Sequence, residues 1–268
     1  VNKKLSYLLI SALFSATTAM ADTLVVEPDR DNTLYEDSQG RYSNGAGQYL
    51  FIGRTGGQNG IPPSLRRALV RFDLSSIPVG SQITTANLQM TINKVPPQAG
   101  GGTASLHKVE SDWGESTTNA PGPEGQGTAA QPGDATWLHT FFDTGFWNTA
   151  GGDYAATASQ TAGMQSVPQT ITFTTTAAMV ADVESWVNTP ANNFGWVVLG
   201  DEASVENARR LLSRENSDAA GRPILTIEYT PAPPPPLPVQ PIPVNNRWGL
   251  LLLAGLILFV VGRRRLIR

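Results

Sequence analysis

The sequence predicts an all-β fold of the sandwich or barrel kind with one short helix. From Thr23 to Tyr229, short runs of β-type residues are separated by Gly, Pro, Asn and Asp clusters. Several of those runs alternate apolar and polar side chains with a period of two, as half-buried strands do. Cysteine is absent, so no disulfide staples the chain, and its stability has to come from a hydrophobic core.

At least eight strands are expected. Leu88, Met90 and Ile92 share one face against Gln89, Thr91 and Asn93 on the other, while Val70, Phe72 and Leu74 share a face in the run before them. The intervening Ser75–Ser81 segment holds the Pro78 and Gly80 of a turn, so the two runs are expected to be neighbours in one sheet. The helix follows Thr176, whose hydroxyl can cap it. Met179, Val183, Trp186 and Val187 recur on one face, and Asn188 and Pro190 end it. Trp196–Leu199, Ala208–Arg214 and Ile224–Tyr229 read as central or paired strands, and Trp186 and Trp196 as core.

Both ends of the chain carry targeting patterns. Lys3 and Lys4, an apolar run from Leu5 to Thr18, and the small residues Ala19 and Ala21 make a signal peptide over residues 1–21, to be cut by signal peptidase after Ala21. The ectodomain is expected over residues 22–230. Residues 231–244 hold eight prolines in 14 positions, which favours an extended polyproline II stalk. Residues 245–268 bring an uncharged stretch, Trp248 to Gly262, closed by Arg263, Arg264 and Arg265. That stretch is short for a span of about 20 residues, but arginines that snorkel and an interfacial Trp248 extend it, and the arginines belong on the cytoplasmic side. The expected location is therefore the cell surface or extracellular matrix, with the C-terminus as a transient or permanent membrane anchor.

The terminal lysines and arginines account for six of the 19 basic residues, so the chain between Leu5 and Gly262 carries 13 basic residues against all 22 acidic ones. Such a surface disfavours nucleic acid. Catalytic signatures are missing: there is no GxSxG, no HExxH and no phosphate loop with lysine, and His107 and His139 stand in no ligand spacing. Asp29, Asp31, Glu36 and Asp37, or Asp112 and Glu115, are candidates for a structural calcium held by loop oxygens, and no other cofactor is expected.

The segment from Trp113 to Tyr154 is rich in aromatic residues set among glycine, threonine and asparagine. Trp113, Trp137, Trp147 and Tyr154 are candidate sugar platforms, because an aromatic face packs on the C–H surface of a pyranose. The same rings would equally pin long loops onto a sandwich.

Several segments taken together resemble the DNRLRE domain, a bacterial extracellular module related to carbohydrate-binding β-sandwiches. They include Asp31-Asn32-Thr33-Leu34-Tyr35-Glu36, Arg67 to Pro78, Ile83 to Leu88, Trp113-Gly114-Glu115, Gly151-Gly152-Asp153-Tyr154, Leu212-Ser213-Arg214-Glu215 and Arg222-Pro223-Ile224-Leu225. The resemblance implies a jelly-roll-like sandwich and, as in some relatives, polysaccharide binding. For an anionic polymer, Lys94, Lys108, Arg209, Arg210 and Arg214 would have to form a local basic groove. Ile242-Pro243, Trp248-Gly249, the apolar run and the arginines resemble the IPTL-CTERM sorting signal, which implies an exosortase-type enzyme as a partner. Val244, Asn245 and Asn246 depart from that family's usual Thr, Leu and Ser.

Three functions follow as expectations: a non-catalytic polysaccharide-binding module of the surface or biofilm matrix, a structural or adhesive matrix protein with no sugar site, and a polysaccharide-degrading enzyme. The first is preferred. The last requires a cleft with convergent acids.

Overall fold

The computed structural model describes residues 20–57 and 61–233. Ala19 and the apolar run before it lie outside the described residues, as do most of the proline-rich stretch and the C-terminal segment with Ile242, Pro243, Trp248, Gly249, Arg263, Arg264 and Arg265. Among the described residues no helix is long and apolar enough to cross a membrane.

The described residues are all-β with one short α-helix. In chain order the first strands are β1 (Asp22–Val26), β2 (Arg30–Tyr35), β3 (Tyr42–Ser43), β4 (Tyr49–Arg54), β5 (Leu65–Arg71), β6 (Gln82–Lys94) and β7 (Gly102–Lys108). Then come β8 (Thr128–Ala129), β9 (Gln160–Met164), β10 (Gln169–Phe173), the helix α1 (Ala177–Asn188), β11 (Trp196–Leu199), β12 (Arg209–Leu212) and β13 (Ile224–Thr230). Every strand pair is antiparallel. One half of the sheet runs β1-β13-β6-β12-β4, with β10 also on β6. Through β4 it continues into β5-β11-β7-β9, with β2 also on β5. The short pair β3-β8 stands apart.

The sheet curls through β4, and the two halves bury their alternating faces against each other. Leu50 and Ile52 of β4, Ala68 and Val70 of β5, Leu88, Met90 and Ile92 of β6, Trp196 and Val198 of β11, and Leu225 and Ile227 of β13 share one core. Burying a large aliphatic or aromatic side chain in this way stabilises by roughly 1.5 to 3 kcal/mol. The expected alternation of β6 is therefore the observed one, and Val70, Phe72 and Leu74 all enter the same core. The expected adjacency of β5 and β6 is not observed. They lie in opposite halves and meet face to face, because both strands present an apolar face that needs a second layer to cover it.

Helix α1 matches its expected bounds. The Thr176 Oγ1 accepts the Met179 N–H at 3.1 Å, a cap of the kind that contributes about 1 kcal/mol. Met179, Val183, Trp186 and Val187 face the core. The helix is also tied by a polar contact: the buried Asp182 accepts from the Trp196 indole N–H at 2.8 Å and the Ser159 hydroxyl at 2.6 Å. Gly195 just before β11 has φ +74°, and a Cβ there would run into the Val70 carbonyl, so glycine lets β11 start close against β5.

The outer face of β5 and β11 is covered as well. Leu69 and Val197 alternate away from the central core and join Leu34, Trp113, Trp137 and Trp147 in a second cluster. The long connection that supplies these rings is held by carboxylates. Asp134 accepts from the backbone N–H of Gln131 (2.8 Å) and Ser116 (3.1 Å) and from the Thr118 hydroxyl (3.0 Å). Asp153 accepts from the N–H groups of Asn148 and Thr149, each at 2.9 Å. A loop with little regular structure thus satisfies its backbone donors internally.

Candidate functional site

The aromatic candidates are brought together, but not as an open platform. Trp113 is 0% exposed, Trp137 8% and Trp147 6%. The Trp113 indole donates to the Phe194 carbonyl at 2.8 Å and the Trp147 indole to the Thr136 carbonyl at 2.9 Å, so their polar ends are used inside the protein. The Arg67 guanidinium lies over the Trp137 ring at 4.8 Å and over the half-buried Tyr154 at 5.4 Å. Arg67 is itself clamped by Glu202 at 2.7 and 2.9 Å and by the Gly151 carbonyl at 2.8 Å. The expectation of a sugar-stacking face on these tryptophans is therefore corrected: the rings fill the space between the long loop and the outer face of β5 and β11. The exposed ring of this segment is Phe146, at 68%.

The two histidines make ordinary contacts. His107 bonds the Ala155 carbonyl and the Ser105 hydroxyl, and His139 the Thr136 hydroxyl.

A groove of about 510 Å³ opens on another side of the domain. Phe51 and Arg66 reach it from β4 and β5, Lys94 and Arg210 from β6 and β12, and prolines 96, 97, 121 and 123 wall it. Strand pairing sets the two outer cations side by side, since Arg210 is the partner of Lys94 in the β12-β6 register. Arg210 is held in place by stacking over Tyr49 at 3.7 Å and by donating from Nε to the Asn93 side chain at 3.0 Å. Arg66 is buried at the base. It donates to the Gly125 and Leu65 carbonyls and the Ser64 hydroxyl, and lies over the Tyr35 ring at 4.8 Å. Burial draws the Arg66 pKa down from the ordinary guanidinium range.

Among the described residues no carboxylate lies within ion-pair distance of Arg66, Lys94 or Arg210. Glu124 also lines the groove, but its Oε2 accepts from the Asn44 side chain at 2.9 Å and the Tyr49 N–H at 3.0 Å. The groove thus combines an apolar, proline-rich wall with three cations that lack an anionic partner. Of the five basic residues singled out from sequence, Lys94 and Arg210 meet here. Arg209 turns inward to Asn207 and the Gly100 carbonyl, Lys108 bonds Ser185 at 2.7 Å beside Asp182, and Arg214 pairs with Glu115 and Glu215. Arg66 carries no such signal in the sequence. Its neighbour Arg67 points to the opposite face, and nothing local distinguishes the two.

The carboxylates expected for calcium divide differently from their sequence grouping. Asp29 pairs with Arg71, Asp37 with Arg41 and Asp112 with Arg30, while Glu36 accepts the Leu65 N–H at 2.6 Å. One member of each expected group, Asp31 and Glu115, converges with Glu215 around Arg214. Burial pushes the Asp31 carboxyl well above the usual range, with Glu215 and Glu115 adding to the shift. Burial likewise raises Glu115 to about 7 against the opposing pull of Arg214, and it raises Glu215. None of the three lines the groove.

Fold and groove together define, among the described residues, a sandwich-like all-β module with a cationic recess. No protein-family model matches the chain, and no curated protein matches it in a sequence comparison.

Proposed function

We propose that this chain is a non-catalytic module of the cell surface or extracellular matrix, jelly-roll-like in topology, that binds a carboxylated polysaccharide in the groove of Arg66, Lys94 and Arg210. The observation that carries this reading is the convergence of those three cations, without carboxylate partners among the described residues, against proline and phenylalanine walls. Uronate carboxylates would meet Lys94 and Arg210 through charge-assisted hydrogen bonds above the buried charge of Arg66, whose donors are used inside the protein, and the apolar faces of the sugar rings would lie on the walls. The net negative surface elsewhere repels polyanions, so a bound acidic chain would be confined to this recess.

Calorimetry on the full chain in non-ionic detergent tests the reading. A polyuronate should bind and a neutral glucan should not, with affinity falling as salt rises from about 50 to 500 mM. Lys94→Ala or Arg210→Ala should each weaken binding by about 1 to 3 kcal/mol. Equal affinity for the neutral polymer, or an unchanged affinity in both variants, would sink the groove reading.

The burial of Trp113, Trp137 and Trp147 favours a second reading, a structural or adhesive matrix protein with no saccharide site. Absence of heat with either polymer at millimolar saccharide would select it.

In both readings the chain is exported, displayed on a proline-rich stalk and sorted by its C-terminal segment. The small residues Ala19 and Ala21 and the arginine-closed tail support this. Intact-mass analysis of surface-localised protein should show a chain beginning at Asp22 and lacking Arg263 to Arg268. Retention of the Leu5 to Thr18 run would mean that the leader is an anchor, and retention of Arg268 would mean that the tail is one.

A further inference from the structure

Asp31, Glu115 and Glu215 come from three distant parts of the chain: the start of β2, the loop after β7 and the turn after β12. Arg214 neutralises only part of their charge. Its Nε and Nη2 donate to Glu115 Oε1 at 3.2 and 2.7 Å, its Nε reaches Glu215 Oε1 at 2.8 Å, and its backbone N–H donates to Asp31 Oδ2 at 2.8 Å. Glu115 Oε2 receives only a long contact from the Asp31 N–H, at 3.3 Å. Two buried oxygens remain with no hydrogen-bond partner, Asp31 Oδ1 and Glu215 Oε2, and Asp31 is only 1% exposed. A buried carboxylate oxygen with nothing to accept from is costly, and such atoms in a folded protein call for an ion, a proton or a water.

We propose that Asp31, Glu115 and Glu215 form a binding site for one calcium ion. Each residue offers an oxygen, and those atoms lie within 4.8 Å of one another, which suits one ion about 2.3 to 2.6 Å from each. Three carboxylates against one guanidinium leave two negative charges, the complement of a divalent cation. The donors are all hard oxygens, which selects calcium or magnesium over zinc or copper. Magnesium demands a near-ideal octahedron and dehydrates reluctantly, whereas calcium accepts an irregular set of carboxylates, and the irregular crowding around Arg214 favours calcium. The ion would join β2 to the turn after β12 and to the loop that carries Trp113. Its role is structural, and it stands independently of the saccharide groove.

The test uses the full chain, stripped with chelator and held in non-ionic detergent. Calcium should bind with a stoichiometry of one by calorimetry, and at about 100 times its dissociation constant should raise the melting temperature by about 5 to 10 °C. Glu215→Gln should weaken calcium binding at least tenfold while the chain still folds, since that side chain is partly exposed. Asp31→Asn should abolish binding. If Asp31→Asn does not fold, the Glu215→Gln titration alone decides. The proposal is overturned by a wild-type chain whose melting temperature is indifferent to calcium up to 10 mM, or by calcium binding that is undiminished in Glu215→Gln. A chain that gains stability on acidification but not from calcium would overturn it too, and would assign the orphaned oxygens to a shared proton.

Discussion

Replacing Trp113 by alanine is expected to lower the unfolding free energy by about 3 to 5 kcal/mol in urea melts, the usual loss for a buried aromatic side chain. The ring is fully buried, packs with Leu34, Leu69 and Val197, and holds the Phe194 carbonyl through its indole N–H. Its removal leaves a cavity against the outer face of β5 and β11 and an orphaned backbone acceptor. The affinity of the folded protein for a polyuronate should stay unchanged, because Trp113 does not line the groove. The two measurements together separate a loop anchor from a sugar platform. A variant that melts like the wild type but binds saccharide more weakly would reverse the assignment.

Phe72→Ala should cost about as much, roughly 3 to 5 kcal/mol, for a different reason. Phe72 is 1% exposed in the central core and meets the edge of Trp196, with ring centroids 6.3 Å apart at 64°. It lies just past the end of β5, where the chain leaves one half of the sheet to cross to the other. Alanine there opens a void between the two halves. The transition should remain a single step with an unchanged denaturant slope, since the surface exposed on unfolding hardly differs. A loss below about 1 kcal/mol would mean that residue 72 faces solvent, with the register displaced by one.

Local features of the fold were legible in the sequence. The alternation of Leu88, Met90 and Ile92 and the cap at Thr176 each express a rule that acts over a few residues, and both are present as expected. Partner choice was not legible. The turn chemistry of Pro78 and Gly80 is the same whether the chain doubles back within one sheet or crosses to a facing layer, so β5 and β6 could not be assigned to opposite halves. The aromatic segment shows the same limit, since an indole ring suits a pyranose and a loop alike. What decides is the partner of its N–H, which for Trp113 lies 81 residues away. Two of the three groove cations, Lys94 and Arg210, were within reach, whereas Arg66 depends on which face of β5 the loop near Gly125 returns to cover. The carboxylate cluster joins positions 84 and 99 residues apart through backbone and arginine contacts, a separation at which sequence spacing carries no information.

The first and last strands of the domain are antiparallel neighbours, with Asp22 opposite Tyr229. Cross-strand partners of this kind are only about 4.5 to 5.5 Å apart. The domain is therefore entered and left at one point, which makes it topologically suited to transplantation: a linker of a few residues would join its old ends, and new ones could be opened at the exposed Ala203–Glu206 turn. For the same reason the whole unit could be spliced into a surface loop of another protein without forcing the flanking chain apart.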